Sequence, residues 1–377
     1  MKSSLSMSFC LSSALTCLMA FSPAMAQEAV APAPQPASDQ NQPQSQSETA
    51  SGLPHDRAWR FNTYMENDSA WLKPNADSDR WYTNGLKIEF THQPGFAQDE
   101  EFQNYLPFAK QFGPANVALG YHAGQLMFTP RHIKVRTPQY DDRPFAGYLF
   151  GGAFLQRANK NTIDHFQVDL GIIGPSSLAG DAQDLIHRNI AGDDPRGWRH
   201  QIRDEPAFQT YLRKKWKFDA GSIQFGEEDS GRKLQFQIIP EAGIALGTVY
   251  RHVEAGATLR AGFILPDDFG PGYIANPVAA TGGPTPKGWS GYAFINVAGK
   301  GVEHNVFFGD SDFRSNEVEV AHRPFIAQAS AGISVNYRWE KTSLQFTYSQ
   351  TYMTREFKDQ NGTPAFGALL VSLTHEF

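Results

Sequence analysis

The sequence predicts an all-β protein, a single 12-stranded antiparallel transmembrane β-barrel of the outer membrane with a short helix in an outer loop. Apolar and polar residues alternate in about twelve segments, which is the pattern of strands with one apolar face. No run of about 18 apolar residues follows residue 26, which argues against helical membrane spans. The 28 Phe, 13 Tyr and 7 Trp supply far more apolar surface than a disordered chain carries.

The first 26 residues predict a secretory signal that is removed on export. Lys2 supplies the basic start, residues 5–21 are mainly apolar, and Ala-Met-Ala at 24–26 precedes Gln27. Both cysteines, Cys10 and Cys17, lie in this segment. We therefore expect the exported protein to be stable without disulfides, as outer-membrane barrels and many periplasmic enzymes are.

Residues 27–56 predict a disordered linker, because Gln, Pro, Ala and Ser dominate and almost no large apolar residue occurs. Residues 57–377 form the predicted barrel. The net charge of the whole chain is -6, so it has no basic surplus for binding nucleic acid.

The predicted strands are long and even in number. In one of them Leu86, Ile88 and Phe90 alternate with Lys87, Glu89 and Thr91. The twelve segments lie near 58–66, 82–92, 116–128, 145–156, 163–173, 206–218, 233–247, 249–263, 289–300, 325–338, 341–353 and 366–377. A soluble sandwich or lipocalin-like barrel also alternates, but strands of about 10 residues fit a tilted membrane crossing. The terminal strand ends in Phe377 and resembles the signal read by the barrel assembly machinery.

If the N-terminus lies in the periplasm, strand parity places the spacers 67–81, 129–144 and 174–205 at the outer rim. The spacers 93–115, 219–232 and 264–288 then fall on the periplasmic side. They are longer than the short turns that are usual there.

The third outer spacer carries a candidate general base. Residues 178–190 predict a short helix, on which Gln183 and His187, four positions apart, share a face. Asp193 follows the stop at Gly192 and could orient the imidazole. A histidine held by a carboxylate can deprotonate water, although an isolated loop histidine is more often an exposed surface residue with no catalytic role.

The first outer hairpin carries a candidate cation site. Asn67 and Asp68 end the first strand, and Thr83 lies in the second across the hairpin. Such oxygen ligands suit a hard cation such as calcium, but they also suit a polar turn with Asx capping. The sequence contains no P-loop, HExxH, GxSxG or CxxC motif.

Three motifs, taken together, resemble the outer-membrane lipid A 3′-O-deacylases of the LpxR type. The motifs are Tyr64-Met65-Glu66-Asn67-Asp68, then Asp79-Arg80-Trp81-Tyr82-Thr83-Asn84-Gly85, then Asp169-Leu170-Gly171-Ile172-Ile173-Gly174-Pro175 running through Gln183, His187-Arg188 and Gly192 to Trp198. The resemblance implies a twelve-stranded barrel that removes the 3′-linked acyloxyacyl chain from lipid A of the outer leaflet by calcium-dependent hydrolysis. Lipopolysaccharide would be its partner and Ca²⁺ its cofactor.

The resemblance also assigns roles to residues. It implies His187 as the base that activates water, Gln183 as its polar neighbour, and Asn67, Asp68 and Thr83 as the calcium and catalytic cluster. Asp193 stands where the family has Glu, which leaves open whether it orients His187 or binds metal. Lys134 and Arg136 compete for the role of a basic substrate-binding residue in the second outer loop.

Two other functions stay open at this point. One is an inactive structural or pore-forming barrel of the same fold, which the change from Glu to Asp at position 193 favours. The other is an outer-membrane phospholipase, which would normally place a serine nucleophile beside its histidine. The sequence offers no such serine.

Overall fold

The computed structural model describes residues 58–68, 80–107, 113, 115–188, 194–225, 233–276 and 286–377. The predicted signal and linker lie outside this part of the chain. The strands are β1 (Ala58–Asn67), β2 (Trp81–His92), β3 (Asn116–Thr129), β4 (Ala146–Ala158), β5 (Thr162–Ile173), β6 (Glu205–Trp216), β7 (Phe218–Gln224), β8 (Lys233–Gly247), β9 (Tyr250–Ile264), β10 (Gly288–Asn305), β11 (Phe325–Trp339), β12 (Thr342–Met353) and β13 (Ala365–Glu376). The α-helices are α1 (Glu100–Tyr105) and α2 (Ala179–Ile186). Among the described residues, no helix has the length and apolar character to span a membrane.

The strands close into one antiparallel barrel. Consecutive strands pair with each other except β6 and β7, which both pair with β8, and β1 pairs with β13 to complete the ring. β7 continues β6, because Lys215 opposite Glu241 and Phe218 opposite Ile238 lie in one register on β8. The barrel therefore has twelve strands, which confirms the prediction, and β7 extends the sixth beyond the point predicted as its end.

The two faces of the wall have the polarity of a membrane barrel. On β2, Leu86, Ile88 and Phe90 are 47%, 46% and 42% exposed on the outer surface. Lys87 and Glu89 point into the lumen, where each is only 1% exposed and their charges lie 2.9 Å apart. A soluble barrel would place these apolar side chains inside, whereas a lipid-facing wall carries them outside.

Two of the three long periplasmic spacers are explained by how they fold. The segment 265–276 turns back into the lumen and reaches the outer end of β1, where the Ile274 backbone N–H donates to Glu66 Oε1 at 2.7 Å. Asn276 Nδ2 donates to Glu241 Oε2 at 2.9 Å on the lumen wall. The spacer predicted at 219–232 was wrong in extent, because 218–224 is strand.

A second segment enters the lumen from the other rim. The short turn Val306–Phe308 follows β10, and the ring of Phe307 stacks on that of Phe128 with centroids 4.1 Å apart. Phe307 and Ile274 belong to one buried apolar cluster. Segments from both rims thus meet inside the barrel and fill its interior.

Candidate functional site

The β1–β2 hairpin holds Asn67, Asp68 and Thr83 in mutual contact. The carbonyl oxygen of Thr83 accepts hydrogen bonds from Asn67 Nδ2 at 3.1 Å and from the Asp68 backbone N–H at 3.3 Å. The Asp68 carboxylate accepts from the backbone N–H of Arg80 at 2.5 Å. Asp68 and Thr83 are both buried. The hairpin cluster, defined as these three residues, is therefore fixed by the turn itself.

A β-bulge turns Thr83 toward the outside of the barrel. The register of β2 on β3 shifts between Tyr82 and Asn84, which inserts Thr83 as an extra residue. The Thr83 hydroxyl lies 2.7 Å from that of Thr129 on β3. The neighbouring Phe128 points into the lumen cluster, so Thr129 faces the opposite, outer surface.

The outer surface of the wall is covered at this point. Met127 and Thr129 face outward but are only 3% and 0% exposed. The segment 174–186 lies over them, since Gln125 Nε2 donates to the Ser177 carbonyl at 2.7 Å and α2 contacts β3 and β4.

Gly147 on β4 permits this close approach. It precedes the lumen-facing Tyr148 and so points outward, and an added Cβ there would lie 2.4 Å from the Ala179 Cβ. Helix α2 thus packs on the outer, lipid-facing side of the wall.

Gln183 and His187 lie at the buried side of α2. The α-helical part ends at Ile186 with His187 as its C-cap, residues 187–188 continue as a π-helical turn, and the predicted end at 190 lies outside the described residues. Gln183 is 2% exposed and His187 is 6% exposed. These two polar side chains lie one turn apart and are both buried, which agrees with the prediction that they share one face of the helix.

Trp198 holds α2 in place. Its indole Nε1 donates to Gln183 Oε1 at 2.7 Å, and its ring lies against Gly180, where an added Cβ would meet ring carbons at 3.1 Å. The other contact of the ring is with Phe145 at a centroid distance of 5.1 Å. Sequence reasoning included Trp198 in the motif but gave it no role.

The second outer loop also contacts the helix. Arg136 lines a groove of about 700 Å³ together with Gly180, Asp184 and Arg188 of the α2 segment and Trp198. Lys134 is exposed on the same loop. Asp193 lies outside the described residues, so the structure does not place the carboxylate predicted to orient His187.

Asp142 is a structural residue of this rim that sequence reasoning missed. It accepts from Trp81 Nε1 at 3.1 Å and from the Arg131 backbone N–H at 2.8 Å, joining the start of β2 to the second loop. Burial raises the pKa of the Asp142 carboxyl above its ordinary value. No sequence motif marks this residue, because its partners are distant in the chain.

The donor chemistry of the hairpin cluster suits a hard cation, but the number of protein ligands is small. The cluster offers one carboxylate, one amide and one hydroxyl. In the part of the chain that the structure describes, no group of three or more His, Cys, Asp or Glu residues could hold a metal ion. A calcium ion, which takes six to eight oxygen ligands, would need further oxygens from water or substrate.

Residues 11–375 match the family described as Outer membrane protein LpxR. The chain belongs to this family. LpxR from Salmonella typhimurium has the same fold, with a TM-score of 0.61 at 17% identity over 84% of this chain and 100% of that chain.

More distant similarities are found to other barrels. The β domain of the Bordetella autotransporter BrkA aligns over 85% of this chain and 99% of its own, with 11% identity and a TM-score of 0.39. An outer membrane channel from Pseudomonas putida aligns over 89% and 100%, with 12% identity and a TM-score of 0.38. A search of curated proteins found no match.

Proposed function

We propose that this LpxR-family barrel is a lipid A 3′-O-deacylase, which hydrolyses the 3′-linked acyloxyacyl ester of lipid A with a water activated by His187. The observation that carries the proposal is the place of the buried polar pair Gln183 and His187. The pair lies on a helix packed against the outer face of the wall, at one rim. A lipid of the surrounding leaflet reaches this position directly from the membrane.

The length of the loops supports the outer rim for this site. The connections 68–80, 130–145, 174–204 and 306–324 all leave the rim that carries α2. On the opposite rim the turns 159–161 and 340–341 are short, the segment 265–276 folds into the lumen, and the connection 93–115 is long. Bacterial barrels place long loops outside and short turns in the periplasm.

His187 supplies the base in the proposed reaction. Its imidazole takes a proton from water as the oxygen attacks the ester carbonyl, and it returns the proton to the departing 3′ sugar oxygen, which leaves as a hydroxyl. The bond from the acyl carbon to the 3′ oxygen breaks, and the products are a free acid and an alcohol. No covalent acyl-enzyme is needed, which agrees with the absence of a serine nucleophile from the motifs.

Gln183 orients the reacting groups. Gln183 Oε1 accepts the hydrogen bond from Trp198, while the buried Nε2 of Gln183 has no hydrogen-bond partner among the described residues. An unpaired buried donor is costly, so a substrate oxygen that accepts from Nε2 is favoured there. Gln183 is thereby suited to hold the ester beside His187.

Asn67, Asp68 and Thr83 would hold the calcium ion. The ion, when bound, would stabilise negative charge on the ester carbonyl oxygen. The hairpin fixes these oxygens before substrate arrives, since Thr83 O and Arg80 N already orient Asn67 and Asp68. Asp193, whose side chain is one methylene group shorter than that of the family's Glu, remains a proposed further ligand or a partner of His187.

The headgroup of the substrate has a matching surface. Arg136, on the second outer loop, lines the groove beside α2, where its guanidinium suits a lipid A phosphate. We therefore propose Arg136 rather than Lys134 as the basic substrate-binding residue. The filled lumen argues against the pore-forming alternative, because segments from both rims occupy the interior.

The test uses purified protein in detergent with two substrates, bisphosphorylated lipid A and a glycerophospholipid. We expect mass spectra to show loss of the 3′ acyloxyacyl chain from lipid A and no change in the phospholipid. An Arg136→Ala variant should raise KM more than it lowers kcat, and Lys134→Ala serves as its matched control. Cleavage of the phospholipid alone, or of neither lipid, would refute the proposal.

A further inference from the structure

A second groove lies on the wall away from α2. It has a volume of about 680 Å³ and is formed by the outer ends of β10 and β11 and the start of the β12–β13 connection. Going round the barrel from β3 to β11 crosses β2, β1, β13 and β12, so this groove and the proposed catalytic site lie on different sides. We call it the β10–β11 groove; its lining includes Gly299, Gly301, Arg323, Phe325, Thr354 and Arg355.

Two glycines form the floor of the groove. Outward positions on β10 carry Ile295 and Val297, which are more than half exposed, and then Gly299 and Gly301 nearer the rim. Because glycine has no side chain, the outer surface of the wall is recessed at these two positions. Neighbouring Phe325 on β11 is 80% exposed and forms one side of the depression.

The fold itself does not require these glycines. Both have ordinary strand dihedrals, without a positive φ. A Cβ added at Gly299 would meet its nearest neighbour, the Ile326 carbonyl, only at 4.0 Å, and one at Gly301 would touch Val253 at an ordinary 3.4 Å. Glycine weakens a strand, and inside one it marks a bulge, a bend, or a site where a ligand or another backbone approaches closely. The space left open at these two positions is accessible from outside the barrel.

Two arginines stand at the rim end of the groove. Arg323 donates to the carbonyls of Phe357 at 3.3 Å and Lys358 at 3.4 Å, and its backbone N–H donates to the Glu356 carbonyl at 2.7 Å. Arg355 is exposed. Among the described residues, no carboxylate lies within ion-pair distance, 4.0 Å, of either guanidinium. Two cations held together without an acid attract an anion, and guanidinium groups match phosphate geometry.

The height of the groove in the membrane identifies the class of ligand. Exposed Phe325 and Tyr352 lie at its level, as aromatic side chains do at the interface, and apolar Ile295 and Val297 continue below toward the membrane centre. A ligand with a phosphate at the arginines and an acyl chain over the glycines fits both ends.

We propose that the β10–β11 groove is a non-catalytic binding site for a phosphorylated, multiply acylated glycolipid of the lipid A class. The proposal assumes the same outer rim as the proposed function, but it does not require hydrolysis.

The test measures bound lipid on the full-length barrel by native mass spectrometry in detergent. The probe is bisphosphorylated lipid A that already lacks its 3′ chains, so that hydrolysis plays no part. We expect the Arg323→Ala/Arg355→Ala variant to bind it about tenfold more weakly, since charge-assisted hydrogen bonds to phosphate are lost. Arg314→Ala, which changes an exposed arginine elsewhere on the outer rim, should bind as the wild type does.

A second pair of variants tests the floor of the groove. Gly299→Phe fills it, while Ala293→Phe adds the same ring to an exposed position lower on β10, outside the groove. Binding should fall about tenfold only in the first. Heat-modifiable migration on SDS gels reports that every variant is folded, and hydrolysis of intact lipid A should stay at the wild-type rate.

Three results would overturn the proposal. The first is equal binding by the wild type and the double arginine variant. The second is equal binding of lipid A stripped of its phosphates. The third is equal competition by phosphatidylglycerol, which would make the groove a general anionic-lipid site. Loss of hydrolysis with intact groove binding would instead count against the proposed function alone.

Discussion

Replacing Trp198 by Phe should loosen α2 from the barrel wall without changing the wall. The substitution removes the 2.7 Å hydrogen bond from the indole to Gln183 Oε1. The phenyl ring can still pack against Phe145, which lies 5.1 Å from the indole centroid. The effect is therefore mainly the loss of one buried hydrogen bond.

The magnitude follows from the burial of Gln183. This side chain is 2% exposed, so water cannot replace the lost donor while the helix is seated. Leaving a buried acceptor unsatisfied costs about 1–3 kcal/mol. A helix that moves away from the wall regains water and escapes this cost. The ratio of seated to unseated helix should thus fall roughly 5- to 150-fold.

Hydrogen–deuterium exchange in detergent measures this ratio. Amides of α2 should exchange faster by roughly the same 5- to 150-fold in Trp198→Phe, because exchange reports local opening. Lipid A hydrolysis should fall in parallel, by at most that factor. The matched control is Trp289→Phe, which makes the same substitution at an exposed position near the opposite rim. Unchanged α2 exchange, within about twofold of wild type, would refute the view that Trp198 holds Gln183 in place.

Three further predictions concern the site and its rim. The His187→Ala variant should lose several orders of magnitude of hydrolysis, as expected for a general base, while remaining heat-modifiable; activity within a few fold of wild type would remove it from the mechanism. Chelator should abolish hydrolysis and added calcium should restore it, but not in Asp68→Ala; full activity under chelator would mean that the hairpin cluster is only a capped turn. The hydrogen bond from Arg251 holds the pKa of Asp312 below its ordinary 3.8. The stability that this contact gives to residues 306–324 is therefore fully present above pH 3.8 and is lost as the pH falls through the lowered pKa. Pepsin should accordingly cut this loop of the wild type increasingly fast as the pH falls through the pKa of Asp312. The Asp312→Asn variant should be cut equally fast above and below that pH. Identical pH profiles for the wild type and the variant would contradict the role assigned to Asp312.

Much of the barrel could be predicted from the sequence because lipid and lumen impose opposite polarity on successive residues. The strand expected near 289–300 is observed as Gly288–Asn305, and the one expected near 233–247 as Lys233–Gly247. The infolding of 265–276 could not be predicted in this way. Its contact between Ile274 and Glu66 joins residues 208 positions apart, and no local pattern encodes such a pairing.

The direction in which the site faces was also beyond the sequence pattern. Regular alternation from Leu86, Ile88 and Phe90 would point Thr83 into the lumen and Tyr82 toward lipid. The bulge at Thr83 reverses this, so that Thr83 meets the outward-facing Thr129 and the Tyr82 hydroxyl reaches the lumen carboxylate of Glu66. A single inserted residue cannot be recognised from period-2 patterning.

The proposed activity is tested most directly in a membrane. The protein and its His187→Ala variant would be expressed to equal levels in a Gram-negative strain with hexa-acylated lipid A and no deacylase of its own, and lipid A would be analysed by mass spectrometry. We predict a species that lacks the 3′ acyloxyacyl chain with the wild type and its absence with the variant. Unmodified lipid A in both strains, with both barrels assembled in the outer membrane and calcium present, would contradict the proposal that the site beneath α2 cleaves lipid A.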